Sequence, residues 1–255
     1  MQRRYAIALL AVVLGLAWGC SNKNPLSTDQ STDLSSGALE HRSSDNTAGW
    51  GDQHGRNETA EYRITLENLT PATAPGASQP FSPPVIATHT ASYRIFGFRR
   101  YASDELRQVA EDAVNAPLVS QLESSHRVYE TVEGSDVILP GAMATYTIHA
   151  KGTFNKLSLV AMLVNTNDGF AGANKVNLPR HGSRTYLLWA FDAGTERNTE
   201  ATSDIPGPCC GSHLVRVPTH QRIRLHRGIR GTGDLDPAVY DWRGPVAKLT
   251  ITRVD

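Results

Sequence analysis

The spacing of apolar positions changes several times along the chain. From Glu61, Tyr62, Ile64 and Leu66 alternate with Arg63, Thr65 and Glu67, a period of two that predicts a half-buried strand. Val85 to His89 and Tyr93 to Phe98 read as another extended pair. The period then lengthens: behind Ser103, Leu106, Val109, Ala110, Ala113 and Val114 recur at three and four residues, with Asp104 and Glu105 in the first turn. This predicts an N-capped amphipathic helix, and Pro117 opens a second short one carrying Leu118, Val119 and Leu122. Val128 to Val132 returns to extended structure, Ile138 to Gly141 is a turn, and Tyr146 and Ile148 separate from Thr145, Thr147 and His149 as a strand with one wet face.

Two apolar runs follow, Leu157 to Val164 and Thr185 to Phe191, each bounded by turn residues and predicted to be strands buried on both faces. Ile223 and Leu225 then alternate with Arg222 and Arg224, and Val246 to Val254 closes the pattern with Leu249 and Ile251 inward. Many strands, long loops and helices confined to one insertion predict a mainly β protein, an antiparallel β-sandwich with one or two short helices. No internal repeat is present.

The two buried runs carry the candidate chemistry. The first leads into N-T-N-D-G-F with Asp168 just past the strand end; the second leads directly into D-A-G-T-E, Asp192 to Glu196. Three carboxylates on two loops, if side by side, repel unless a cation lies between them. Hard oxygen donors favour calcium, which takes 6–8 oxygens at about 2.3–2.6 Å, and Gly169 and Gly194 let carbonyls turn inward at little steric cost. Asp and Gly are also ordinary turn residues, and the pattern alone fits that reading equally well.

Composition narrows the function classes. The 255 residues carry no formal net charge, which argues against a dedicated nucleic-acid binder, and 40% hydrophobic content suffices for one core. Residues 1–20 read as an export signal: Arg3 and Arg4, an apolar run from Ala6 to Leu16, then L-A-W-G-C ending at Cys20. That pentapeptide resembles the lipobox of bacterial lipoproteins, which implies lipidation of Cys20 and, with Ser21 following, the outer membrane; simple cleavage after Gly19 is the alternative and would give a secreted protein. Residues 21–60 are rich in Ser, Thr, Asp, Asn and Gly and read as a disordered tether, leaving 61–255 as the folded domain.

The ordered motifs S-P-P-V from Ser82, L-P-G from Leu139, M-L-V-N-T-N-D-G-F from Met162, D-A-G-T-E from Asp192 and G-I-R-G-T-G-D-L-D-P-A-V-Y-D-W-R-G-P-V from Gly228 are similar to those of the spondin domain family. That module occurs in extracellular-matrix proteins and in bacterial secreted proteins. The resemblance implies a calcium-bearing antiparallel β-sandwich used for adhesion, with no chemistry at the metal. It places Asp168 and Asp192 at the acidic ligand positions, and Glu196 where animal members have Asp.

Other constellations carry less. Cys209 and Cys210, with His213, His220 and His226, lack the thiolate spacing of a zinc site; an adjacent pair in an oxidising compartment fits a vicinal disulfide or an interchain bridge. No G-x-S-x-G or H-E-x-x-H motif occurs, and G-I-R-G-T-G-D from Gly228 is followed by no helical pattern. Asp234, Asp236 and Asp241 fit turns, with a second cation as the alternative. The expectation is a non-enzymatic, calcium-binding adhesion module anchored at the cell envelope, its partner an extracellular protein or glycan, touching membrane only through the N-terminal lipid. The alternatives are a metal-assisted envelope hydrolase and a carbohydrate-binding sandwich with an exposed aromatic face.

Overall fold

A computed structural model describes the strand at residues 38–41 and residues 58–72, 78–207, 209–210 and 215–254. Cys20, the export signal and nearly all of the tether lie outside the described residues.

In chain order the elements are β1 (Ala38–His41), β2 (Thr59–Asn68), β3 (Val85–His89), α1 (Asp104–Asp112), α2 (Ala116–Glu123), β4 (Val128–Glu133), β5 (Met143–Lys151), β6 (Lys156–Met162), β7 (Gly169–Asn177), β8 (Ser183–Leu188), β9 (Ala190–Asp192), β10 (Arg224–Leu225), α3 (Pro237–Tyr240) and β11 (Ala247–Arg253). They form two antiparallel sheets, one in the order β1-β8-β11-β2-β5 and the other β10-β9-β7-β6-β3-β4. The protein is thus mainly β, an antiparallel sandwich with short helices, as its patterning predicts.

The period of two explains the inner faces. Ala60, Tyr62, Ile64 and Leu66 of β2 and Ala247, Leu249 and Ile251 of β11 point into one core with Leu157, Leu159 and Ala161 of β6. A second core lies on the other face of the six-stranded sheet, where Leu106, Val109 and Ala110 of α1 and Leu118 and Leu122 of α2 meet Phe96, Phe170 and Phe191. Covered on both sides, β6 is buried from Leu157 to Met162, the pattern its uninterrupted apolar run predicts.

The second apolar run behaves otherwise. Thr185 to Phe191 is not one doubly buried strand: β8 ends at Leu188 with Thr185 and Leu187 only half-buried, Trp189 intervenes, and β9 begins at Ala190 in the opposite sheet. The chain crosses the sandwich there, so its apolar residues satisfy two different layers. Two shorter readings also change. Tyr93 to Phe98 is an irregular loop rather than a strand, though Phe96 packs edge-on against Phe170 at 5.1 Å, and the expected strand around Ile223 shrinks to the two-residue β10.

Candidate functional site

The register of β7 against β9 builds the acidic corner. Gly169 lies opposite Asp192, so Asp168 and Asp192 come from neighbouring strands one residue out of step, and Ala193 N donates to Asp168 O at 3.1 Å. A tight turn aims Asp168: Thr166 Oγ1 donates to Leu163 O at 2.6 Å and accepts from Gly169 N at 2.9 Å. A β-carbon at position 169 would stand 2.5 Å from that hydroxyl, which is why glycine is needed. Beneath it, Asn165 Nδ2 donates to Ser78 O at 2.9 Å and its Oδ1 accepts from Cys209 N at 3.1 Å.

The D-A-G-T-E loop folds back over Asp168. Asp192 Oδ1 accepts from Gly194 N at 2.8 Å, and Gly194 takes a φ of 73° with its α-carbon face against Gln221 O. Thr195 N and Glu196 N then donate to Asp168 Oδ2 at 2.8 and 3.0 Å. Asp192 Oδ2 accepts from Asn198 Nδ2 and from Arg224 Nη2, both at 2.7 Å. Glu196 turns its own carboxylate elsewhere, Oε1 accepting from Val217 N at 3.0 Å. The structure therefore joins Asp168 and Asp192 at one corner, while Glu196 adds a backbone amide there. Among the described residues, no three His, Cys, Asp or Glu side chains are grouped so as to hold a metal ion.

Burial first, then the charge of Asp192, push the Asp168 carboxyl up to about 7, although the Glu196 and Thr195 amides pull the other way. Asp168 is fully buried, and its Oδ1 has no hydrogen-bond partner among the described residues; the same holds for Asn198 Oδ1. A buried carboxylate oxygen left without a donor, next to a second carboxylate, is costly unless a proton or a cation neutralises it.

Three contributors escape sequence reasoning. Glu111 of α1 is fully buried and its charge reaches Asp168. Burial alone would raise its pKa, but bonds from Arg216, Thr195 and Arg107 outweigh this and hold it below the usual range. Arg216 and Arg224 supply the positive charge of the corner from far along the chain. The i, i+4 pairing of Arg107 with Glu111 looks like an ordinary solvated helix pair, and that disguises the acid.

The remaining candidates resolve into structural roles. Cys209 and Cys210 are bonded to each other, which removes their thiols from any zinc site; His213 lies outside the described residues. Asp236 caps α3, Asp234 accepts from Thr202 N at 2.9 Å, and Asp241 accepts from Ile229 N at 3.0 Å. Buried His89 holds Ser158 Oγ at 2.7 Å through Nε2 and donates from Nδ1 to Thr90 O at 2.8 Å, sealed from solvent.

A two-sheet antiparallel sandwich with α1 and α2 on one outer face and an acidic corner between β7 and β9 defines the class. The profile of the spondin N-terminal domain (Spondin_N) matches residues 60–209, more than half of the chain. The chain belongs to that family. Its matched region carries both acids and the D-A-G-T-E loop, and it stops before β11, which nonetheless sits between β8 and β2. No curated protein matches the chain.

Proposed function

We propose that this protein is a non-enzymatic adhesion or binding module held at the cell envelope through lipidated Cys20, in which calcium locks the Asp168–Asp192 corner. The observation that carries the reading is the unpartnered, fully buried Asp168 Oδ1. Asp168, Asp192 and Asn198 Oδ1 would hold the ion, and Glu196, expected as a third ligand, would contribute its backbone amide to Asp168 instead. Asp192 already pairs with Arg224, so the ion would supply the positive charge that Asp168 lacks; because it would favour only the folded chain, its binding energy would add to stability. The loop it fixes carries the next segment, since Thr219 N donates to Thr195 O at 2.8 Å and Gln221 N to Gly194 O at 2.7 Å. The sealed Ser158–His89 contact supports a binding role over hydrolysis. Trp242 is buried and Trp189 half-buried, which weighs against an aromatic sugar platform.

Calcium titration followed by thermal unfolding tests the reading. The wild-type melting temperature should rise with calcium and fall with chelator, and Asp192→Asn should lose most of that rise. A wild-type protein indifferent to calcium, or a variant that responds as fully as wild type, would count against the site.

A further inference from the structure

Beside the acidic corner lies a surface of opposite sign. The whole chain balances 25 Lys and Arg against 25 Asp and Glu. Yet residues 215–233 contain Arg216, Arg222, Arg224, Arg227 and Arg230 and no acid, and residues 93–102 contain Arg94, Arg99 and Arg100 and no acid. Arg216 and Arg224 are spent on Glu111 and Asp192. The others have no carboxylate partner among the described residues.

The two segments are joined by their backbones. Arg99 N donates to Ile223 O at 2.8 Å, and Ile223 N to Arg100 O at 2.7 Å. Ile223 is buried with the phenylalanines under α1, which leaves Arg99, Arg100, Tyr101, His220 and Arg222 exposed around it. Tyr101 and His220 stack at 4.3 Å with their planes 7° apart, and the Arg222 guanidinium lies 5.0 Å from the Tyr101 ring centre. Arg222 Nη1 also donates to Arg99 O at 2.9 Å. A guanidinium held over a ring keeps its outer donors in a fixed fork, so less freedom is lost when it grips a planar or tetrahedral oxyanion at two points.

We infer that Arg99, Arg100 and Arg222, the last held against the Tyr101–His220 stack, form a docking site for an acidic polysaccharide bearing sulfate or uronate groups. This rests on the domain being a binding module and names the class of its ligand. A bilayer surface takes cations together with apolar side chains that insert, and the aromatic ring here is already engaged by the imidazole and the guanidinium. Three exposed guanidiniums on two bridged segments match anions repeated along a sugar chain. Because Thr219 and Gln221 hang from the D-A-G-T-E loop, whatever orders that loop also orders His220 and Arg222.

The test measures binding of the intact chain to dextran sulfate, neutral dextran and phosphatidylglycerol vesicles over a range of salt. The expected result is salt-sensitive binding to dextran sulfate alone. Arg99→Ala and Arg222→Ala should each weaken it about tenfold. Arg222→Lys, which keeps charge but not the fork, should fall between, and exposed Arg180→Ala should change nothing. Melting curves matched to wild type keep a folding defect from being counted as lost binding. Equal affinity for neutral dextran, an equal loss in Arg180→Ala, or patch-dependent preference for the vesicles would overturn the assignment. Repeating the series with chelator separates the two proposals. Binding retained while the calcium melting shift is absent sinks the calcium reading and keeps this one; a full calcium shift without dextran sulfate binding does the reverse.

Discussion

Glu111 and Arg216 meet as a two-point ion pair across 105 positions of sequence, Nε to Oε2 and Nη2 to Oε1, both at 2.7 Å. Arg216 Nη2 also donates to Thr195 O at 3.2 Å, so one guanidinium ties α1 to the D-A-G-T-E loop.

Replacing Arg216 by alanine leaves Glu111 buried with only Arg107, at 3.0 Å, to balance it. The loss should be about 1–3 kcal/mol, below the ~3–5 of a fully buried pair, because Arg107 remains and the Arg216 side chain is 38% exposed. Urea unfolding should show a lower midpoint at unchanged slope.

Asp168→Asn should change how stability depends on pH. Burial and then the charge of Asp192 push this carboxyl up to about 7, against 3.8 for the free group. Between those values the folded chain holds a proton that the unfolded chain has released, so stability falls as pH rises through the window and levels off above it. Asparagine stays neutral throughout. Its advantage over wild type in chelator should therefore be near zero at the acid end and reach a few kcal/mol above about pH 7. Denaturation at both ends of the window measures it, and calcium should no longer stabilise the variant.

His89 works in the opposite sense. Burial first, and then Lys175 and Lys156, lower its pKa below 6.5 against the raising effect of the Thr90 bond. The unfolded chain takes up a proton near 6.5 that the fold refuses, so this contribution is complete above 6.5 and is lost as pH falls below it. His89→Gln, which takes up no proton in this range, should flatten the loss of stability on acidification. Melting temperatures of the two proteins measured down a pH series provide the check.

α1 ends on a strained residue. Ala113 adopts φ 57° in the left-handed region while its N–H closes the helix onto Gln108 O and Val109 O. Glycine accepts that conformation without the β-carbon penalty, so Ala113→Gly should stabilise the protein by about 0.5–1 kcal/mol. A raised urea midpoint would show it.

Much of this fold is legible in the chain because local periodicity sets it. β2, β6, β11 and α1 are the segments whose apolar spacing persists for several residues. β7 is not visible as a strand, since Gly169, Gly172 and Asn174 interrupt any alternation; yet Gly172 is where the Phe96 and Phe170 rings close in, and a β-carbon there would stand 2.7 Å from Phe96. The crossing at Trp189 is equally silent, because T-Y-L-L-W-A-F reads as one run whichever sheet receives its ends. At the acidic corner, Asp168 and Asp192 announce themselves by ending apolar runs. Glu111, Arg216 and Arg224 do not, because charges that meet across 105 or 32 positions leave no mark on spacing.

β11 is made after every strand it touches, yet it occupies the slot between β8 and β2. A polypeptide appearing from its amino end holds both flanking ribbons with bare amide and carbonyl edges and no way to join them. Closure of that layer waits for Ala247–Arg253, so a chain cut short before Ala247 would leave the facing edges of β8 and β2 unpaired.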